Sequence, residues 1–322
     1  MQPPPDPAAL ARLAAELGRD ATIDSVRELR GGLGAAMHSF RLRSGTDTRR
    51  LVLRRYLQPV LEGSRRTVAY RAWRTLAALE RLCISAPRPI WLDSAITSSH
   101  PPTAYLFRYP ALVMSFVPGR TGLRPTNIES WIDQLAAALV RIHHAPAISV
   151  DLTFLPGPGE TARRIIRQAS RRSGLSRDPD GQAALACVRR LLLGTKQESP
   201  VLVHGDFWAG NTLSQGARVT AVVDWDSAAI DQPALDVGYC RMDLAMLGPA
   251  GAPDAFLHAY ERRAGRPITN LPFWDLLAAL RALPDPERWL PGYHALERTD
   301  ITAAGMSKGL HAFIAGALRR AE

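Results

Sequence analysis

The segment His204-Gly205-Asp206-Phe207-Trp208-Ala209-Gly210-Asn211 sets an aspartate and an asparagine five residues apart, and Asp224 follows thirteen residues later. These residue types at this spacing suit phosphoryl transfer. One carboxylate orients an attacking hydroxyl and takes its proton, while an amide oxygen and a second carboxylate hold Mg²⁺ against nucleotide phosphates. Singly, each has a plainer reading, since an aspartate in a turn most often caps or closes that turn. At fixed offsets the combination is much rarer, roughly one start in ten thousand if each position matches by chance about one time in twenty. Glycosidase-type paired carboxylates fit less well, because that chemistry has no use for Asn211. Trp208, beside the base, reads as the wall of an acceptor pocket or as core packing. Asp226 and Asp231, near the metal loop 224–226, read as substrate contacts or, more commonly for such positions, as solvated turn carboxylates.

The elements that must position these residues follow from hydrophobic period. Val201–Val203 is a short buried strand, Asn211–Ser214 and Val219–Val223 form a hairpin across Gln215-Gly216-Ala217, and Asp224 ends near the start of that hairpin. Around them, 128–144, 161–172, 182–193, 234–247, 252–264, 272–283 and 303–320 carry helical periodicity. The front of the chain differs. After a helix at 8–17, strands are expected at 23–29, 38–43, 50–55 and 111–117, with one helix at 65–82 whose stripe is Val68, Ala72, Leu76 and Leu79. Ser98–Pro102 reads as an exposed loop. The expected organisation is a tail and helix at 1–20, a small β-rich lobe at 21–117 and a mainly helical lobe at 120–322, with catalytic loop 204–211. The fold class is α+β, two lobes sharing a cleft.

Bulk properties narrow the partners. The 322 residues are 46% apolar with no run of membrane-span length, and the proline-rich start lacks a signal-peptide pattern, so a cytoplasmic protein without membrane contact is expected. The net charge of +10 is concentrated in front, where residues 1–122 hold 18 Arg against 9 acids. Arg163, Arg164, Arg167, Arg171, Arg172 and Arg177 form a basic helical stretch without interleaved aromatics, which reads as a solvated face and not as a nucleic-acid surface. Cys83, Cys187 and Cys240 have no metal spacing and read as buried free thiols. His143-His144 closes a helix, where positive charge suits the dipole. No protein partner is implied, and no Gly-Lys-Ser/Thr of a Walker loop is present.

From about Ile23 to the last helices the chain resembles the aminoglycoside phosphotransferase family, small-molecule relatives of the protein kinases. His204-Gly205-Asp206 is similar to that family's catalytic-loop signature, which implies Asp206 as base with His204 in support, and Asn211 and Asp224 as magnesium ligands. The resemblance further implies a two-lobed protein-kinase-like fold. Gly31, Gly32 and Gly34 would cover the phosphates, and 114–119 would form an adenine-binding hinge with the Ser115 carbonyl, the Val117 amide and the Met114 side chain. Asp236 would be the helix-start carboxylate that holds the catalytic loop.

Two departures stand out. The family's phosphate-binding lysine position is taken by Arg54, with Arg55 on the other strand face as its rival, and arginine keeps the charge with a different geometry. The helix 65–82 carries Ala69 where a glutamate would pair that cation, and Glu62 and Glu80 are displaced. The expected function is transfer of the γ-phosphoryl of ATP, with GTP the alternative, and Mg²⁺, to a hydroxyl of a small molecule, either an antibiotic or a metabolite. A silent or weakly active nucleotide-binding protein is the competing reading.

Overall fold

The computed structural model describes residues 3–29, 35–57, 65–96, 105–121, 123–192, 194 and 198–322. The predicted phosphate cover at Gly31, Gly32 and Gly34 and the predicted loop at 98–102 lie outside these residues. The chain divides into two compact units, Met1–Pro118 and Gly119–Glu322.

In the first unit, β1 (Thr22–Glu28), β2 (Ala36–Ser44), β3 (Asp47–Arg55), β4 (Pro89–Leu92) and β5 (Ala111–Ser115) form an antiparallel sheet in the order β1-β2-β3-β5-β4. Strand alternation gives it two faces. Phe40, Leu42, Leu51, Leu53 and Val113 bury one face with Leu13 and Ala14 of helix α1 (Pro7–Leu17). That helix starts where the Asp6 side chain accepts the Ala8 N–H at 2.9 Å. The other face carries Met37, Arg54 and Leu112 in one register row and Val52 and Met114 in the next. Helix α2 (Arg65–Arg81) buries the expected stripe of Val68, Ala72, Leu76 and Leu79. Just past it Cys83 has φ +55° and its thiol is exposed, correcting the expectation of a buried one: a residue closing a helix in a left-handed turn projects outward. Cys187 and Cys240 are buried. Strand β4 was not anticipated. Its Pro89 stands first in an edge strand, a position where the missing N–H costs nothing.

The second unit is built from α3 (Ile128–His143), α4 (Glu160–Arg171), α5 (Pro179–Leu192), α6 (Ala234–Leu247), α7 (Ala252–Ala264), α8 (Leu271–Ala282), α9 (Leu290–Ala295) and α10 (Ala303–Arg320). Helix α6 is buried on nearly every side, with α7, α8 and α10 against it and Met242, Leu276, Leu280, Leu310 and Ile314 in the shared core. Strand β7 (Val201–Val203) pairs with β10 (Ala229–Asp231), and β6 (Arg120–Thr121), β8 (Thr212–Gln215) and β9 (Arg218–Val222) make a second ribbon in the order β6-β8-β9. Arg172 departs from the solvated-face reading, because its Nη1 donates to the carbonyls of Leu280 at 2.7 Å and Leu283 at 2.6 Å and so closes the end of α8. Among the described residues no helix is long and apolar enough to cross a membrane.

Candidate active site

The loop between β7 and β8 is fixed from below by a buried carboxylate. Asp236, in the first turn of α6, accepts the His204 N–H and the Gly205 N–H, both at 2.7 Å, and is fully buried. Behind it stands His143, whose Nε2 lies 3.2 Å from Asp236 and whose Nδ1 lies 2.7 Å from the Tyr260 hydroxyl. His143, the last residue of α3, is therefore buried between Asp236 and Tyr260. Gly205 has φ +76°, and a Cβ there would sit 2.1 Å from the Ser227 carbonyl oxygen, so conformation and space both demand glycine.

His204 ties the loop to the hairpin. Its ring Nε2 donates to the Val223 carbonyl at 2.9 Å and its Nδ1 accepts the Asp206 N–H at 3.2 Å, which places the ring proton on Nε2. The Val223 N–H in turn donates to the Asn211 carbonyl at 2.8 Å, extending the β8–β9 ladder by one rung beyond Thr212 and Val222. Asp206, Asn211 and the backbone leading into Asp224 are thereby held in one small hydrogen-bonded frame.

The Asp206 side chain is 25% exposed and held from two directions. Asn211 Nδ2 donates to its Oδ2 at 3.2 Å and to its carbonyl at 2.9 Å. From α8, Arg281 donates Nη2 to Asp206 Oδ1 at 2.8 Å and Nη1 to the Gly205 carbonyl at 2.7 Å, with its guanidinium 3.9 Å from the centre of the Tyr239 ring. Burial, with the Asp206 carboxylate adding to it, pushes the Tyr239 phenol well above its ordinary range, so it stays protonated. Burial opposes the charge on Arg281, and the Asp206 carboxylate it meets favours that charge.

Asn211 gives its amide nitrogen to Asp206, which leaves Oδ1 as its oxygen for a cation. Asp224 sits in a left-handed conformation, φ +65° and ψ +62°, where the chain enters the 3-10 turn Trp225–Ser227. An amide oxygen and a carboxylate fit Mg²⁺, which takes few protein ligands. Among the described residues no group of three or more His, Cys, Asp or Glu side chains is gathered to hold a metal.

Trp208 packs edge-on against Tyr293, with centroids 5.3 Å apart, and against the helical core. Asp226 is half-buried in the 225–227 turn. Asp231 corrects its sequence reading, both as substrate contact and as solvated carboxylate. It is the last residue of β10, fully buried, and its Oδ1 accepts the Gln232 and Gly159 N–H groups. Its strand pairs with β7, so the carboxylate turns inward. Burial raises its pKa despite those amides.

In the first unit, Arg54 and Met114 share the sheet face away from α1. Arg55 lies on the opposite face, is buried, and donates to the Pro3 carbonyl of the N-terminal segment, which removes it as a phosphate ligand. Ala69 is fully buried and offers no polar side chain. Ser115 uses its N–H for the Arg88 carbonyl at 2.8 Å and its hydroxyl for the Arg88 N–H at 2.9 Å. Arg281, Tyr239 and Tyr260 were missed by sequence reasoning. Arg281 lies 75 residues from Asp206 on an ordinary-looking helix, and nothing local marks it.

This fold, and a loop that offers a fixed carboxylate, are those of a small-molecule phosphotransferase. The chain matches the APH phosphotransferase enzyme family over residues 33–283 and belongs to it. Among solved structures it is similar to a candidate aminoglycoside phosphotransferase of Ralstonia eutropha, with TM-score 0.65, 20% identity, and 97% of this chain and 99% of that one covered. A thermostable mutant of aminoglycoside phosphotransferase APH(4)-Ia, in ternary complex with AMP-PNP and hygromycin B, gives TM-score 0.61 at 17% identity, covering 98% of each chain. Macrolide 2'-phosphotransferase MphH from Brachybacterium faecium gives 0.53 at 21%, covering 90% of this chain and 98% of that one. At these identities the likeness is one of fold. Of curated proteins, acyl-CoA dehydrogenase family member 10 of Mus musculus is 29% identical over 199 residues, 59% of this chain and 18% of the relative. The "Probable ketoamine kinase" of Synechocystis sp. is 39% identical over 93 residues, 29% of this chain and 28% of the relative. The chain thus spans less than a third of the length of either curated relative.

Proposed function

We propose that the chain transfers the γ-phosphoryl group of ATP to a hydroxyl of a small molecule, with Asp206 as the base. The observation that carries this is the fixed, partly exposed Asp206 carboxylate, held by Asn211 and Arg281 above a loop tied to Asp236. A carboxylate so oriented can accept the hydroxyl proton as the oxygen attacks phosphorus and ADP leaves. Asn211 and Asp224 would hold Mg²⁺, which bound there neutralises phosphate charge. Arg54 would bind phosphate oxygens with its forked donors and Met114 would lie beside the adenine. The Val117 N–H, which carries no protein hydrogen bond among the described residues, is the donor for the base edge. The ternary complex of the APH(4)-Ia mutant with AMP-PNP and hygromycin B supports nucleotide and small-molecule acceptor in one fold.

The test is phosphate transfer from ATP to a panel of hydroxylated metabolites and antibiotics by wild type and Asp206→Ala, with thermal unfolding in ATP and Mg²⁺ alongside. Both proteins should be stabilised by nucleotide, and transfer should fall by at least about a hundredfold in the variant. Equal turnover by the two proteins refutes the assignment.

A further inference from the structure

The second unit holds a cavity of about 320 Å³ beside the catalytic loop, bounded by the start of α3, the end of α6 and Ala209, which lies in the same turn as Asn211. Leu123, Pro125, Ile128, Leu244 and Leu247 supply the apolar part of its walls. Two buried polar atoms on lining residues have no hydrogen-bond partner: Oδ2 of Asp243 and the Nε1–H of Trp131. The other oxygen of Asp243 accepts the Tyr293 hydroxyl at 2.9 Å, and Tyr293 in turn carries Trp208 of the catalytic loop on its ring. Native folds rarely leave a buried acceptor and a buried donor unmet in one small space, and a ligand that meets both would account for the pair.

The rim charges are already matched. Asp300 receives Arg298 at 2.8 Å and Arg124 at 3.1 Å, so they ask nothing of an occupant. Asp243 is the one lining carboxylate left half-satisfied. A polycation would need several such carboxylates, whereas a neutral hydroxyl could bond this oxygen but would leave its charge unpaired. Ile128, an exposed apolar side chain at 43%, stands among the lining residues near the surface, as expected at the mouth of an apolar site.

We propose that this cavity seats the phosphate acceptor and that the acceptor is a compact amino alcohol. Its single ammonium pairs with Asp243 Oδ2, its aliphatic body lies along Leu244, Leu247 and Ile128, and an oxygen takes the Trp131 N–H. Binding rests on the cavity alone; only the transfer step rests on the reading of Asp206 as base. Burial raises the Asp243 carboxyl to about 7, the Tyr293 hydroxyl and Arg298 opposing and Asp206 adding, so an arriving ammonium finds a group ready to ionise.

The probes are 6-amino-1-hexanol and 1,6-hexanediol, which differ only in the amine, titrated calorimetrically at pH 8 without nucleotide. Wild type should bind the amine at least about tenfold more tightly than the diol. Asp243→Asn, which keeps an acceptor for Tyr293, should erase that preference, and Ile128→Trp, a surface change that leaves the core intact, should weaken aminohexanol binding. Equal binding of the two probes, no binding of either, or a preference that survives Asp243→Asn overturns the assignment. Transfer from ATP is scored separately: a retained amine preference with no transfer to any acceptor refutes the phosphotransferase reading and leaves the cavity assigned.

Discussion

Arg281→Gln isolates the contribution of the one cation that, among the described residues, touches the proposed base. The wild-type guanidinium gives one hydrogen bond to a carboxylate at 2.8 Å, one to a carbonyl at 2.7 Å, and lies 3.9 Å from the Tyr239 ring centre. Its side chain is 23% exposed and that of Asp206 25%, so solvent screens the pair only in part. A hydrogen bond to a charged acceptor contributes about 1.5–3 kcal/mol, and if that bond serves to aim Asp206, its loss should lower kcat by about 10–100-fold. The KM for ATP should hold, because among the described residues the Arg281 guanidinium hydrogen-bonds only the 205–206 loop. Glutamine also forfeits the carbonyl bond and the ring contact, for a further stability loss of about 1–3 kcal/mol, measured by urea denaturation. Arg281→Lys should recover part of kcat, since an ammonium can meet the carboxylate but cannot fork to both oxygens. Steady-state kinetics on folded variants decides the matter: kcat within threefold of wild type, or a raised KM for ATP at unchanged kcat, refutes the positioning role.

Gly205→Ala should destabilise the protein by more than about 3 kcal/mol, because a left-handed backbone and a Cβ 2.1 Å from a carbonyl oxygen cannot both be relieved without releasing the Asp236 bonds. A loss under about 1 kcal/mol in urea would refute this. Asp243 gives a pH signature. Its folded pKa of about 7 lies above the unfolded value near 3.8, so the folded state binds the proton more tightly and stability falls as pH rises between those values. Three pKa units correspond to about 4 kcal/mol. Asp243→Asn should lack that decline, gaining on wild type by about this amount between pH 4 and pH 8, and parallel stability curves would refute it.

The sequence made legible what repeats along a segment. Helices α3, α6, α7 and α10 carry long apolar periods, and their expected bounds agree with the structure to within a residue. Strands β6 and β10, of two and three residues, and the six-residue α9 are too short to carry any period, and their positions come from partners elsewhere in the chain. The hidden position of Asp231 follows from the same cause: a carboxylate read as lying in a turn belongs to a strand visible only once β7 pairs with it. In the candidate site, the grouping of His204, Asp206, Asn211 and Asp224 was legible because one strand, loop and hairpin carries them all. The residues that hold that hairpin were not. His143 reaches Asp236 across 93 positions, and Tyr260 reaches His143 across 117.

Helix α6 shows why those distant residues must exist and why Asp243 stands apart from them. Because the helix is buried on nearly every side, none of its polar side chains can be left to water, and each demands a partner from another element. Asp236 finds two loop amides and His143. Arg241 finds Asp275 through both Nε and Nη2, at 2.9 and 3.0 Å, and Asp254 at 3.1 Å. Asp243, seven residues after Asp236 and so on the same stripe of the helix, finds only Tyr293 among the described residues. The first aspartate of the stripe fixes the 204–205 loop and the second borders the cavity beside it. Of the two helix carboxylates, Asp243 alone keeps an unpartnered oxygen among the described residues and lines a cavity, and the amine preference proposed for that cavity is the property by which substrate choice can be read.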